Sequence, residues 1–189
     1  MNMFMPVKIT YFAHGTTTDN ENDIATGQAP GELSDLGIKQ SKKLPKKIKN
    51  NTFSVVFCSD LKRAADSARL SFGKTHKIIK DRRLRECDFG KFTNKNFSKI
   101  EDKMHKFINK KFPEGESLKD VEERIRDFLK FLIKDHNNKH VAILAHWAPQ
   151  LALEVITENK SWKTAIDEDW RKTKSWKPGW IYKVKGKQL

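Results

Sequence analysis

Short apolar runs that alternate with helical patterns are what most constrain this chain. Residues 7–13, 54–58 and 141–145 are rich in Val, Ile and Phe and bounded by polar or turn residues, so they read as buried strands, with a shorter one at 77–80. Between them lie helical patterns at 34–49, 60–72, 118–135 and 148–158. The clearest is 118–135, where Leu118, Val121, Ile125, Phe128, Leu129, Leu132 and Ile133 form one stripe, and Ser117 with Asp120 form a capping pair. Strand–helix alternation predicts an α/β three-layer sandwich, a mostly parallel central sheet with helices on both faces. The 189 residues fit one domain (1–189). Residues 84–116, with Gly90, Pro113, Gly115 and several aromatics, read as an inserted segment, and 159–189 as a Trp-rich C-terminal extension.

His14 and His146 each follow one of these apolar runs directly. Ligands of open α/β sheets bind outside the carboxyl ends of the strands. Two imidazoles distant in sequence are therefore expected in one pocket.

Composition narrows the function less. Apolar residues at 37% suffice for a core, and no apolar stretch approaches a membrane span, so no membrane partner is expected. Residues 1–6 are too short and lack the basic start of a secretory signal. Cys58 and Cys87 form no CxxC or Cys/His cluster, which predicts two small buried hydrophobes and a reducing, cytoplasmic setting. The formal charge of +14 favours anionic ligands in general. Lys39, Lys42, Lys43, Lys46, Lys47 and Lys49 sit at helical spacing opposite Leu36, Leu44 and Ile48, as on a solvated helix face.

Further fragments stand in a fixed order: His14-Gly15 to Asn20, Thr26-Gly27, Leu33 to Gly37, Ser59 to Ala64, Leu84 to Gly90, Gly115-Glu116-Ser117 and Ala145-His146. In that order the chain resembles the histidine phosphatase superfamily, which includes the cofactor-dependent phosphoglycerate mutases, over about residues 7–157. The resemblance implies a phosphoglycerate mutase-like fold and phosphoryl transfer through a phosphohistidine. It makes His14 the nucleophile and Glu86 the general acid and then base, and has Arg63 and His146 bind the phosphoryl oxygens. It puts Gly15, Asn20, Thr26, Gly27 and Trp147 at the substrate. It implies no metal and no cofactor, and a small phosphorylated metabolite as the partner.

The chain departs from the family pattern in three places. Ala13 stands where the family's Arg-His-Gly signature has its phosphate-gripping arginine. An introduced change, a natural one offset by Arg82, Arg83 or Arg85, and loss of catalysis with binding kept all remain open. Trp147 follows His146 where many relatives have glycine, and either walls the pocket or packs under the next helix; Gln28 stands where many carry an aromatic. Trp162, Trp170, Trp176 and Trp180 crowd the C-terminus. A helix near 162–171 and an edge strand at 179–184, with the indoles covering core, are preferred there to single-stranded nucleic-acid binding. The reading is a phosphomonoester phosphatase rather than a mutase, because the segment between Glu86 and Gly115 is short. Its rival is a catalytically impaired or inactive binder of phosphorylated ligands. Oligomeric state is not legible in the sequence.

Overall fold

The structure, a computed structural model, describes residues 6–48, 52–173, 175 and 177–189. Residues 1–5, on which most of the leader argument rests, lie outside the described residues, as do Lys49 and Trp176. In chain order the elements are β1 (Val7–Ala13), α1 (Thr18–Glu21), α2 (Asp35–Lys47), β2 (Val55–Cys58), α3 (Lys62–Phe72), β3 (Ile78–Lys80), α4 (Ser98–Glu101), α5 (Leu118–Asp135), β4 (His140–Ala145), α6 (Trp147–Glu158), α7 (Trp162–Asp167), α8 (Trp170–Thr173) and β5 (Trp180–Val184).

The strands form one sheet in the order β3-β2-β4-β1-β5. The pairs β1–β4, β2–β4 and β2–β3 are parallel, and β5 closes the β1 edge antiparallel. This is the expected mostly parallel sandwich, and successive residues alternate between its two faces. Ile9, Tyr11, Phe57, Val141 and Ile143 pack with α5 and α6, while Phe12, Val56, Cys58, Ala142 and Leu144 pack with α2 and α3. Both faces are dry, which is why the strands read as unbroken apolar runs rather than alternating ones.

Helix α5 follows its sequence pattern, with Ser117 Oγ accepting from Asp120 N at 3.1 Å and Asp120 Oδ2 accepting from Ser117 N at 2.7 Å. Its buried stripe also contains Glu122. That carboxylate accepts from Trp162 Nε1 at 2.6 Å, Lys119 Nζ at 2.8 Å and Arg126 Nη2 at 2.8 Å, so the buried charge is paired. The segment 84–116 folds mainly as 3-10 turns (Gly90–Phe92 and Met104–Phe107) around α4, entered from a further one at Arg82–Leu84. Phe89, Phe92, Phe107 and Phe112 pack together inside it, Phe107 stacking on Phe112 at 3.8 Å. At Gly90, φ is +51° and a Cβ would lie 2.1 Å from the Pro113 carbonyl oxygen, so the turn closes only on glycine.

Two local expectations change. Leu36 does not face the core but is 51% exposed, while the lysines of α2 are exposed as expected. The single helix expected at 162–171 is broken at Asp169, whose buried side chain accepts from Trp147 Nε1 and from Arg171 N and so caps a new turn instead of continuing the old one.

Ile125, 1% exposed in the α5 stripe, gives a direct test of this packing. Ile125→Ala should cost about 2–5 kcal/mol, read as a lower urea midpoint at unchanged m-value.

Candidate active site

Strands β1 and β4 are neighbours and end level, Ala13 opposite Ala145. The next residue of each is a histidine, and His14 N donates to Ala145 O at 3.1 Å. The ring centroids of His14 and His146 are 5.0 Å apart, edge to face.

Nδ1 of His14 lies 2.7 Å from the Gly15 carbonyl oxygen. A carbonyl only accepts, so Nδ1 carries the proton, and Nε2 of the neutral ring is left with its lone pair. Burial, and then the Arg63 guanidinium, lower the His14 pKa to about 3. The same two causes, burial first, hold His146 well below the ordinary range. His146 is fully buried, and neither ring nitrogen has a hydrogen-bond partner among the described residues. Tyr11 Oη donates to its backbone carbonyl at 2.6 Å, which fixes the turn into α6.

Arg63 enters from the first turn of α3, just after β2, and is 3% exposed. Its Nη2 donates to Gly27 O at 2.6 Å and its Nη1 to Ala29 O at 3.2 Å, which clamps the 27–29 loop. Glu86 sits at the start of α6. Its Oε1 accepts from Ala148 N and Cys87 N, each at 2.9 Å, and its Oε2 from Trp147 N at 3.0 Å. Pro149 has no N–H, and Gln150 N returns to His146 O, so the first turn of α6 has no donor left for a ligand.

These groups surround a cavity of about 330 Å³. His14, Arg63, Glu86, Asn20, Thr26, Gly27 and Trp147 all line it, as does Ala13. Two expected residues do not. His146 stands behind His14. Gly15 borders a second cavity on the far side of His14; its N–H goes to Ser67 Oγ at 3.0 Å, and a Cβ there would lie 2.5 Å from Gly37 O. Gly15 thus lets α2 approach and holds the His14 ring.

Asn20 shares a capping box with Thr17, and Thr26 Oγ1 donates to Asp19 Oδ2 at 2.8 Å. Gln28 Nε2 donates to Glu86 O at 3.1 Å, bracing the acid's backbone. Of the two places left open for it, Trp147 takes the first: it lines the cavity, edge-on to Phe97, which also lines it, at 6.4 Å. The cysteines are buried, and burial pushes the Cys58 thiol up to about 11 and Cys87 upward too, as befits inert thiols.

The cations expected to stand in for the missing arginine lie elsewhere. Arg83 is held by Asp81 and Asp127, Arg85 by both oxygens of Asp60, and neither they nor Arg82 line the cavity. Trp170 and Arg171, from α8, do line it. Nothing local marks Arg171 among the chain's many cations; its place depends on the bond from Trp147 to Asp169, which joins distant segments.

The profile of the histidine phosphatase superfamily (branch 1) matches residues 11–171. The chain belongs to this superfamily. It is 33% identical over 141 residues to the fructose-2,6-bisphosphatase TIGAR of Xenopus tropicalis, a match covering 67% of this chain and 50% of that protein. It is 27% identical over 156 residues to phosphoserine phosphatase 1 of Hydrogenobacter thermophilus, covering 78% and 74%. The chain thus spans half the length of the frog relative and about three quarters of the bacterial one. In fold it is similar to a mycobacterial glucosyl-3-phosphoglycerate phosphatase, with a TM-score of 0.74 at 23% identity over 86% of this chain and 84% of the other. No described helix is long and apolar enough to cross a membrane.

The His14 environment predicts a pH signature. A histidine whose folded pKa lies below its unfolded value takes up a proton on unfolding between the two, so stability falls as pH drops from 6.5 toward about 3. His14→Asn should make that limb of a Tm-against-pH curve less steep, His146 supplying what remains. Imidazole nitrogen NMR of the unmodified chain should show the Nδ1–H neutral tautomer at neutral pH.

Proposed function

We propose that the protein is a phosphatase that hydrolyses a small phosphomonoester through a phosphohistidine on His14. The observation that carries this is the neutral His14 ring, tied through Nδ1 to the Gly15 carbonyl, with Nε2 unengaged at a cavity it shares with Arg63 and Glu86. The names of the relatives support a phosphate-ester substrate, and a cavity of about 330 Å³ suits a metabolite.

In the first step the Nε2 lone pair attacks phosphorus, the bond to the ester oxygen breaks, and protonated Glu86 gives that oxygen its proton. Glu86 Oε2 accepts a single N–H, so it has a lone pair for that proton without losing a hydrogen bond. In the second step Glu86 takes a proton from water, the resulting hydroxide attacks phosphorus, and the N–P bond breaks to free phosphate and the neutral ring. Arg63 stabilises the charge that spreads over the phosphoryl oxygens, while His146, behind His14, packs against the nucleophile's ring instead of lining the cavity. None of these steps calls on a metal. The short stretch from Glu86 to Gly115 favours hydrolysis over a mutase cycle through a bisphosphorylated intermediate.

A panel of phosphomonoesters, assayed with chelator and without a bisphosphorylated primer, tests this. Phosphate release is expected, with a phosphohistidine on His14 in quenched samples by mass spectrometry. His14→Ala should lose roughly 10⁴-fold or more in kcat. Glu86→Gln should cost about 10²–10⁴-fold on alkyl phosphates but far less on p-nitrophenyl phosphate, whose leaving group needs no proton. No turnover and no phosphohistidine on any ester would overturn the reading.

A further inference from the structure

Ala13 and Arg171 border the same cavity, one contributing no charge and the other a guanidinium. Among the described residues, the Lys and Arg side chains lining that cavity are Arg63 and Arg171. Both Nη groups of Arg63 are turned onto carbonyls, the imidazoles beside it are neutral, and the first turn of α6 offers no N–H. A phosphoryl dianion placed there lacks a second strong donor unless Arg171 provides it.

Arg171 is built for that task. Its side chain is 30% exposed, and Nη1 donates to Asp169 Oδ1 at 3.1 Å. The guanidinium carbon lies 4.2 Å from the Trp170 ring centroid, a stacking that fixes its plane. Its Nε–Nη2 edge makes no hydrogen bond among the described residues, and two parallel donors along such an edge match two oxygens of a phosphoryl group. Its charge already acts on His14 and His146, lowering both.

The tail that carries it is anchored at two points on α6. Asp169, 4% exposed, accepts from Trp147 Nε1 at 2.6 Å through Oδ2 and from Arg171 N at 3.0 Å through Oδ1. Trp170 Nε1 donates to Gln150 Oε1 at 3.1 Å. We propose that Arg171, held over the cavity by the Trp147–Asp169 bond, is the second phosphoryl-binding cation of this site, beside Arg63, and supplies the charge that Ala13 does not. The departures at Ala13 and Trp147 are then two halves of one change. The inference rests on the phosphatase reading for its kinetic test but has a binding test of its own.

Hydrolysis of p-nitrophenyl phosphate and binding of inorganic phosphate, the latter by tryptophan fluorescence, are measured on the full chain and on Arg171→Ala, Arg171→Lys, Ala13→Arg and the double variant Ala13→Arg/Arg171→Ala. Arg171→Ala should lower kcat/KM by about 10²–10³-fold and weaken phosphate binding at least tenfold. Lysine should recover only part of this. The double variant, or guanidinium ion added to Arg171→Ala, should recover most of it, which an arginine that merely secures the tail would not show. Phosphate binding unchanged in Arg171→Ala overturns the proposal, as does a loss that neither an arginine at 13 nor added guanidinium restores. If the unmodified chain turns over no ester, the phosphatase reading fails by itself, and the phosphate-binding comparison still decides the role of Arg171.

Discussion

The level pairing of Ala13 with Ala145, at the ends of two adjacent parallel strands, sets nearly every distance in the site. It brings His14 and His146 together from distant parts of the chain and delivers Glu86 to the helix that begins one residue later. Register here is tightly held because both faces of the sheet are buried. A slip of one residue would exchange Tyr11 and Ile143 with Phe12 and Leu144 across the layers. The Tyr11 hydroxyl adds a directional lock at the His146 carbonyl.

Strands and long helices were legible because their signals are local. Burial on two faces gives continuous apolar runs, and the Ser117–Asp120 pair declares the start of α5. The convergence of the two histidines followed from strand ends alone. Glu122, inside an apolar stripe, could not be told from a surface acid, since the indole and cations that satisfy it come partly from another helix. Leu36 lies beside the buried face of α2, which runs through Gly37, Ser41 and Leu44, and so stays exposed. The break at Asp169 and the placement of Arg171 depend on a side-chain bond to Trp147, which no periodicity encodes. Gly15 matched a signature position, but its small size serves helix packing rather than a ligand.

The charge of this molecule divides into two populations. The lysines of α2 point into water, where they raise the general potential and draw anions toward the surface. At the cavity the cationic side chains are few and fixed, and the buried imidazoles are uncharged. A neutral histidine is the useful form for attack on phosphorus, and burial, then the guanidinium beside it, keep His14 so. The overall excess of basic residues therefore says little about how the pocket handles an anion.

Glu86 is braced by the backbone of the helix whose preceding residue is His146, and that residue lies against His14. Acid and imidazoles consequently move as a block, and their mutual spacing has little freedom to adapt to a guest. Ile24, Phe97 and Trp170 line the same cavity without belonging to that block. Their side chains are free of the backbone braces that hold Glu86 and the two rings, so the shape of the cavity can change there without disturbing that block.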